Sequence, residues 1–297
     1  MTIRFDGRVA VVTGAGTGLG RSHALLLAAR GAKVVVNDPA PARDGNPPTA
    51  EAVVDEIRAL GGEAIADFSS VMAPEQAAQI IDMAVSTWGR VDIVVNNAGF
   101  VRDRSFAKMP LEDWDAVIGV HLNGAAYVTH AAWNHMKDAG YGRVVFTTSN
   151  SGLYGNFGQA NYAAAKAGLV GLMNTLKEEG FRYGIRVNCL APMAATAMTE
   201  AIFTGELEQK FSPAVPSAAL AYLASEICDH TGIILSAAGG FYGSAQVSGT
   251  TGVFLPEGVM PTPDFVAQHI NAILSEENGR KAFTNAADEM AYIKSAA

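Results

Sequence analysis

Residues 9–27 read VAVVTGAGTGLGRSHALLL, and the fold turns on how this stretch is parsed. A β-branched apolar run ends at Thr13, Gly14, Gly18 and Gly20 follow, and an Ala/Leu-rich segment with helical spacing comes next. Glycine lets a chain turn tightly and lets a pyrophosphate approach the backbone, while a helix N-terminus offers unpaired N–H groups and the positive end of a dipole. Strand, glycine turn and helix in this order point to a dinucleotide-binding unit.

The same rhythm extends along the chain. Short β-branched runs recur as RVAVVTG from residue 8, KVVVND from 33, EAIADF from 63, VDIVVNNAG from 91, GRVVFTTS from 142 and IRVNCLAP from 185. Helical patterns such as RSHALLLAARG and AEAVVDEIRALGG lie between them. Strands alternating with helices predict an α/β fold with a doubly wound parallel sheet, and near-continuous apolar strands predict helices on both faces. Two segments break the rhythm. Residues 38–50, DPAPARDGNPPTA, are too long for an ordinary strand-to-helix turn and read as an insertion near whatever binds at the strand ends. Residues 193–216, carrying Met193, Met198, Ile202 and Phe203, read either as a lid over an apolar substrate or as a surface helical hairpin. We expect one domain over 1–297: dinucleotide binding mainly in 1–100, catalytic and substrate residues in 101–260, and a helical tail from 261.

Composition narrows the function. With 297 residues, 49% hydrophobic and 17% charged, the chain can bury a large core. A formal charge of -8 without clustered Lys and Arg argues against a nucleic-acid surface. Cys189 and Cys228 are the two cysteines, with no CxxC and no zinc spacing, so no metal site and a reducing compartment are expected. No apolar stretch reaches the roughly 18 residues of a membrane span.

Certain polar residues stand out against this background. Asp38 follows the second strand run, 18 residues after Gly20, where a carboxylate would accept hydrogen bonds from an adenosine ribose and repel a 2′-phosphate. NAD rather than NADP is therefore expected; the alternative is that Asp38 only starts the turn before Pro39. Tyr162 and Lys166 are four residues apart in a helical run, hence about one turn apart on one face. A phenol of pKa about 10 can exchange protons near neutrality only beside a cation that stabilises its anion.

The TGxxxGxG spacing, NNAG at 96–99, Ser149, and Tyr162 with Lys166 together resemble the short-chain dehydrogenase/reductase family, over roughly residues 8–240. The resemblance implies a single Rossmann-type domain with a seven-stranded sheet. It places a nicotinamide cofactor against Gly14, Thr17, Gly18, Leu19, Gly20, Asp38, Ser70, Val71, Asn97, Ala98, Gly99, Tyr162, Lys166 and Pro192. It makes Tyr162 the proton carrier, Ser149 its partner on the substrate oxygen, and Lys166 the cation that also reaches the nicotinamide ribose. The family's fourth catalytic group is an asparagine in VNLxG; here VHLNG puts His121 there, and His121 is the expected fourth member. The adenine-contacting Asp after the third strand is missing from DFSSV, and the usual Pro-Gly after the sixth is Pro192-Met193.

VVVND, VRDRSFA, VHLNG and YGNFGQANYAAAK further resemble the (3R)-hydroxyacyl-CoA dehydrogenase units of peroxisomal multifunctional enzymes, over nearly the full chain. That implies NAD-dependent oxidation of a 3-hydroxyacyl-CoA, of fatty or steroid side-chain type. A 17β-hydroxysteroid dehydrogenase acting on free steroids and a 3-oxoacyl-carrier-protein reductase are the alternatives, the latter disfavoured by Asp38. Arg102 and Arg104 either meet CoA phosphates or form a solvated pair. The resemblance also implies a homodimer or homotetramer, and the KSAA ending, which is no peroxisomal signal, gives the expectation of a stand-alone cytoplasmic protein.

Overall fold

The computed structural model describes residues 2–41, 49–196, 199, 203–277 and 279–296. Its central sheet follows from the apolar runs. β1 (Val9–Thr13), β2 (Lys33–Asn37), β3 (Glu63–Asp67), β4 (Ile93–Asn96), β5 (Gly142–Thr147) and β6 (Ile185–Met193) fall on the six β-branched stretches. All five residues of β1 are buried, so both of its faces are covered and each Val contributes about 1.5–3 kcal/mol of transfer free energy. The strands are parallel in the order β3-β2-β1-β4-β5-β6-β7, with β7 (Ile234–Ala238) beside β6.

Helices cover both faces. α1 (Gly18–Ala29), α2 (Thr49–Ala59) and α9 (Ala214–Leu223) pack on one; α3 (Pro74–Trp88), α4 (Leu111–Ile118), α5 (Ala125–Ala139) and α7 (Ala160–Gly180) lie on the other. The chain reverses its winding between β1 and β4, which opens a crevice at the C-terminal strand ends.

The sheet has eight strands rather than the seven expected. β8 (Phe241–Ala245) follows β7 after only Gly239 and Gly240, whose φ values of 53° and 87° suit a two-residue hairpin turn, and so tight a connection makes β8 antiparallel. Its sequence, FYGSA, lacks the buried apolar run that marks the other strands, because an edge strand outside the helix layers has no need of one.

Most of the 38–50 insertion, and Met198 and Ile202 of the 193–216 segment, lie outside the described residues. The described part of that segment contains α8 (Glu206–Lys210) and a stacked pair, Phe203 and Phe211, with ring centroids 4.3 Å apart. Residues 1–244 and 245–297 are separate compact units. The second pairs β9 (Gly249–Thr250) with β10 (Arg280–Lys281) and carries α10 (Pro263–Leu274) and α11 (Ala286–Ala296). Its α10 is capped by Thr262 Oγ1, which accepts the Phe265 N–H at 3.2 Å. Among the described residues no helix is long and apolar enough to cross a membrane.

Candidate active site

The glycine turn is built so that side chains are excluded. Gly14 has φ 60°, and a Cβ there would lie 2.7 Å from the Ala98 Cα; one on Gly20 would lie 2.1 Å from the Gly14 carbonyl oxygen. The NNAG segment explains this proximity. Asn97 Nδ2 donates to the carbonyls of Thr13 at 3.0 Å and Gly14 at 3.1 Å, while Thr13 Oγ1 accepts the N–H groups of Asn97 and Ala98, each at 3.1 Å. The end of β4 therefore fixes the turn after β1. Thr17 enters α1 in an extended conformation without a side-chain cap, which leaves the first amides of the helix facing the crevice without intrahelical partners.

Asp38 completes this end of the site. Its Oδ2 accepts the Gly16 N–H at 3.0 Å and its Oδ1 the Ala40 N–H at 2.9 Å, so it braces the glycine turn and shapes its own turn while lining the cleft. Glycines that a Cβ would fill, an uncapped helix N-terminus and a carboxylate at the end of β2 fit a dinucleotide.

The second cluster gathers where β5 meets α7. Ser149 caps the short α6 (Asn150–Tyr154), its Oγ accepting the Ser151 N–H at 3.1 Å and donating to Asn150 Oδ1 at 3.1 Å, and it shares the cleft with Tyr162. Lys166 is buried; its Nζ donates to the Thr147 carbonyl at 2.5 Å and lies 5.5 Å from the centre of the Tyr162 ring. Burial pushes the Lys166 ammonium down to about 7 and the Tyr162 phenol up, the latter opposed by the Ser149 hydroxyl. Burial thus works against the charged form of both groups.

His121 lies in a π-helical turn, Gly119–Gly124, between α4 and α5; such turns recur at functional sites. Its ring meets Tyr162 edge-on with centroids 5.1 Å apart. Nε2 is 2.7 Å from the Phe100 carbonyl and 3.1 Å from the Phe100 N–H, and Nδ1 has no partner among the described residues. One nitrogen cannot donate and accept at once, and the shorter contact favours Nε2–H. Burial, with Lys166 nearby, lowers the imidazole to about 3, so it is neutral.

A cleft of about 620 Å³ joins the two clusters. Of the residues singled out in the sequence, Gly14, Thr17, Gly18, Leu19, Gly20, Asp38, Asn97, Gly99, His121, Ser149, Tyr162, Lys166 and Pro192 line it. Ser70, Val71 and Ala98 do not: Ser70 spends its N–H on Gln76 Oε1, Val71 is buried beside Gly124, and Ala98 sits behind Gly14. Asp67 faces inward too, accepting from Asn37 Nδ2 at 2.7 Å and the Ser69 N–H at 3.0 Å. Arg102 is paired with Asp113 at 2.9 Å, whereas the Arg104 side chain has no ion pair among the described residues. The cleft also takes in residues the sequence reading passed over, among them Asp103, Ser151, Tyr154, Asn156 and Gln159. Asp103, Tyr154, Asn156 and Gln159 fall within the VRDRSFA and YGNFGQANYAAAK stretches, but nothing local gives them a place in the cleft; the fold of the loop after β4 and of α6 brings them there. Among the described residues no group of three or more His, Cys, Asp or Glu side chains could hold a metal.

Comparison with known proteins agrees with this geometry. The multifunctional enzyme type 2 of Drosophila melanogaster peroxisomes is 50% identical over 242 residues, covering 80% of this chain and 40% of that protein. Its full-length structure superposes with a TM-score of 0.84 at 38% identity, over 99% of this chain and 50% of that one. This chain therefore spans half or less of that relative's length. The hydroxyacyl-CoA dehydrogenase ChsB1 of Mycobacterium tuberculosis is 45% identical over 214 residues, 68% of this chain and 66% of its own. A 7α-hydroxysteroid dehydrogenase solved with NADH and 7-oxo glycochenodeoxycholic acid matches with a TM-score of 0.72 at 32% identity, over 80% of this chain and 95% of that one. The family described as short chain dehydrogenase matches residues 8–207, and the chain belongs to that family.

Proposed function

We propose that this protein oxidises the 3-hydroxyl of a 3-hydroxyacyl-CoA to the 3-oxo thioester, with NAD as cofactor. The observation that carries the reading is the meeting of Ser149, Tyr162 and Lys166 with the glycine turn and Asp38 in one cleft. Gly14, Gly18, Gly20, Asp38 and Lys166 would hold the cofactor, Asp38 favouring NAD over its 2′-phosphorylated form. Bound there, NAD supplies the hydride acceptor and a positive charge that draws the Tyr162 phenol toward its anion. Tyr162 accepts the hydroxyl proton of the substrate, Ser149 Oγ holds the same oxygen, and Lys166 keeps the phenolate in place. The neutral His121 holds the Phe100 peptide and the edge of the Tyr162 ring as the fourth member of the cluster.

Phe203, Met193, Val101 and Tyr154 give the cleft an apolar side that suits an acyl chain, and Arg104, whose side chain has no ion pair among the described residues, is the candidate to meet the phosphates of a CoA. The Mycobacterium tuberculosis relative, named a hydroxyacyl-CoA dehydrogenase, supports the thioester class. The bile-acid complex of the 7α-hydroxysteroid dehydrogenase favours a second reading, oxidation of a free hydroxysteroid. Two buried thiols, Cys189 and Cys228, suit a reducing compartment such as the cytoplasm. Phe106 and Leu111, each 75% exposed, are apolar surface that a second copy would cover in a homodimer or homotetramer.

Formation of reduced nicotinamide, followed by absorbance with a straight-chain (3R)-hydroxyacyl-CoA, a steroid side-chain thioester and a free 17β-hydroxysteroid, tests the substrate class. Turnover of the free steroid alone overturns the thioester reading. Tyr162→Phe should abolish turnover while NADH still binds, and retained turnover removes Tyr162 from the reaction.

A further inference from the structure

We infer that Asn161, which the reaction above does not use, is a positioning residue that fixes Tyr162 against the 101–104 wall of the cleft. The inference builds on the role just proposed for Tyr162. Asn161 is the second residue of α7 and is fully buried. Leaving a buried amide group unpaired is costly, so its bonds indicate what holds it there. Oδ1 accepts the Tyr162 N–H at 2.7 Å, and Nδ2 donates to the carbonyls of Arg102 at 3.2 Å and Asp113 at 3.3 Å.

The Tyr162 N–H is among the first amides of the helix and has no intrahelical acceptor. The N-cap residue Gln159 does not supply one, because its own amide is engaged elsewhere. Its Oε1 accepts from Ser151 Oγ at 2.8 Å and Asn156 Nδ2 at 3.0 Å, and its Nε2 donates to Asp103 Oδ2 at 2.8 Å. Asn161 satisfies the amide from inside the helix and, with the same side chain, grips the loop after β4 and the first turn of α4. The Arg104 N–H, donating to the Gly158 carbonyl at 2.8 Å, ties that loop to the residues just before α7 once more. Val101 and Asp103 of the loop line the cleft, and the Asp103 charge acts on the Tyr162 phenol, raising its pKa. Asn161 itself is absent from the cleft wall. It sets the distance between the wall that meets substrate and the phenol that takes the proton.

The test is Asn161→Ala in the full chain, assayed with NAD and a straight-chain (3R)-hydroxyacyl-CoA. A displacement of about 1 Å at a reacting group costs on the order of a hundredfold, so kcat should fall between tenfold and that value, while NADH binding and the KM for NAD stay unchanged. Asn188→Ala is the control: Asn188 is equally buried, bonded to the His230 carbonyl at 3.0 Å and the Ile233 N–H at 3.1 Å, and outside the cleft. It should lower the melting temperature comparably and keep kcat. Asn161→Ser retains an acceptor near the Tyr162 N–H and should lose less; should the alanine variant not fold, the serine variant decides on the same terms. Unchanged kcat, or an equal kcat loss in Asn188→Ala, overturns the inference. Tyr162→Phe measured alongside separates the two levels: an inactive Phe variant with a fully active Asn161→Ala rejects the positioning role alone, and an active Phe variant rejects the proposed chemistry.

Discussion

Gly99→Ala tests the packing behind the cleft. A Cβ at Gly99 would stand 1.9 Å from His121 Cε1, 2.6 Å from Nδ1 and 2.8 Å from Nε2, so the imidazole has to move by more than 1 Å. Moving it breaks the Nε2 contact to Phe100, a net loss of about 1 kcal/mol, and overpacking a dense site adds about 1–3 kcal/mol. A total near 3 kcal/mol lowers the melting temperature by on the order of 10 °C in a chain of this size. The cause is isolated by a double-mutant cycle. If the clash with the ring is the whole effect, Gly99→Ala should cost nothing further in a His121→Ala background, leaving a coupling free energy near the full 3 kcal/mol. Thermal melts of the wild type, both single variants and the double variant measure it. Additive costs, with Gly99→Ala equally harmful whether or not the ring is present, would refute the reasoning.

Asp38→Ala should narrow the preference for NAD over NADP, read as the ratio of kcat/KM for the two cofactors; an unchanged ratio removes the ribose role and leaves Asp38 as a brace for Gly16 and Ala40. Stability should decline in mild acid. His23, whose Nδ1 lies 2.7 Å from Ser217 Oγ, is pushed down by burial to about 3, as is His121, from the ordinary 6.5. Both are neutral in the fold and take up protons on unfolding, so the stability they confer is complete above about 6.5 and is lost as pH falls toward 3, by up to about 1.4 kcal/mol per pH unit for each. Denaturant titrations of wild type and His23→Gln between those limits check it: the variant's slope should be shallower by one proton, and identical slopes would show that His23 is charged in the folded protein.

The sequence by itself determined the alternation of strand and helix, because inner strands such as β1, β2 and β4, buried on both faces, must be written as near-continuous apolar runs. It also determined the glycine turn and the Tyr162–Lys166 pair, since local backbone geometry and one helical turn fix them without reference to the rest of the chain. The tertiary structure decided everything that depends on segments distant along the chain. β8 was invisible because an exposed edge strand needs no apolar pattern. Ser70 and Val71 follow the third strand in the expected order, yet lie off the cleft, because Ser70 and its neighbours turn onto Gln76 and Asp67. Asn97 lines the cleft as expected, and its side-chain amide also grips the Thr13 and Gly14 carbonyls, a contact across 84 and 83 residues of chain that only the folded structure brings about. Asn161 lies within the YGNFGQANYAAAK stretch, but nothing in that stretch tells what its amide does. A buried amide acquires its meaning only from the carbonyls it reaches, and those of Arg102 and Asp113 come within its reach only when α7, α4 and the loop after β4 have packed.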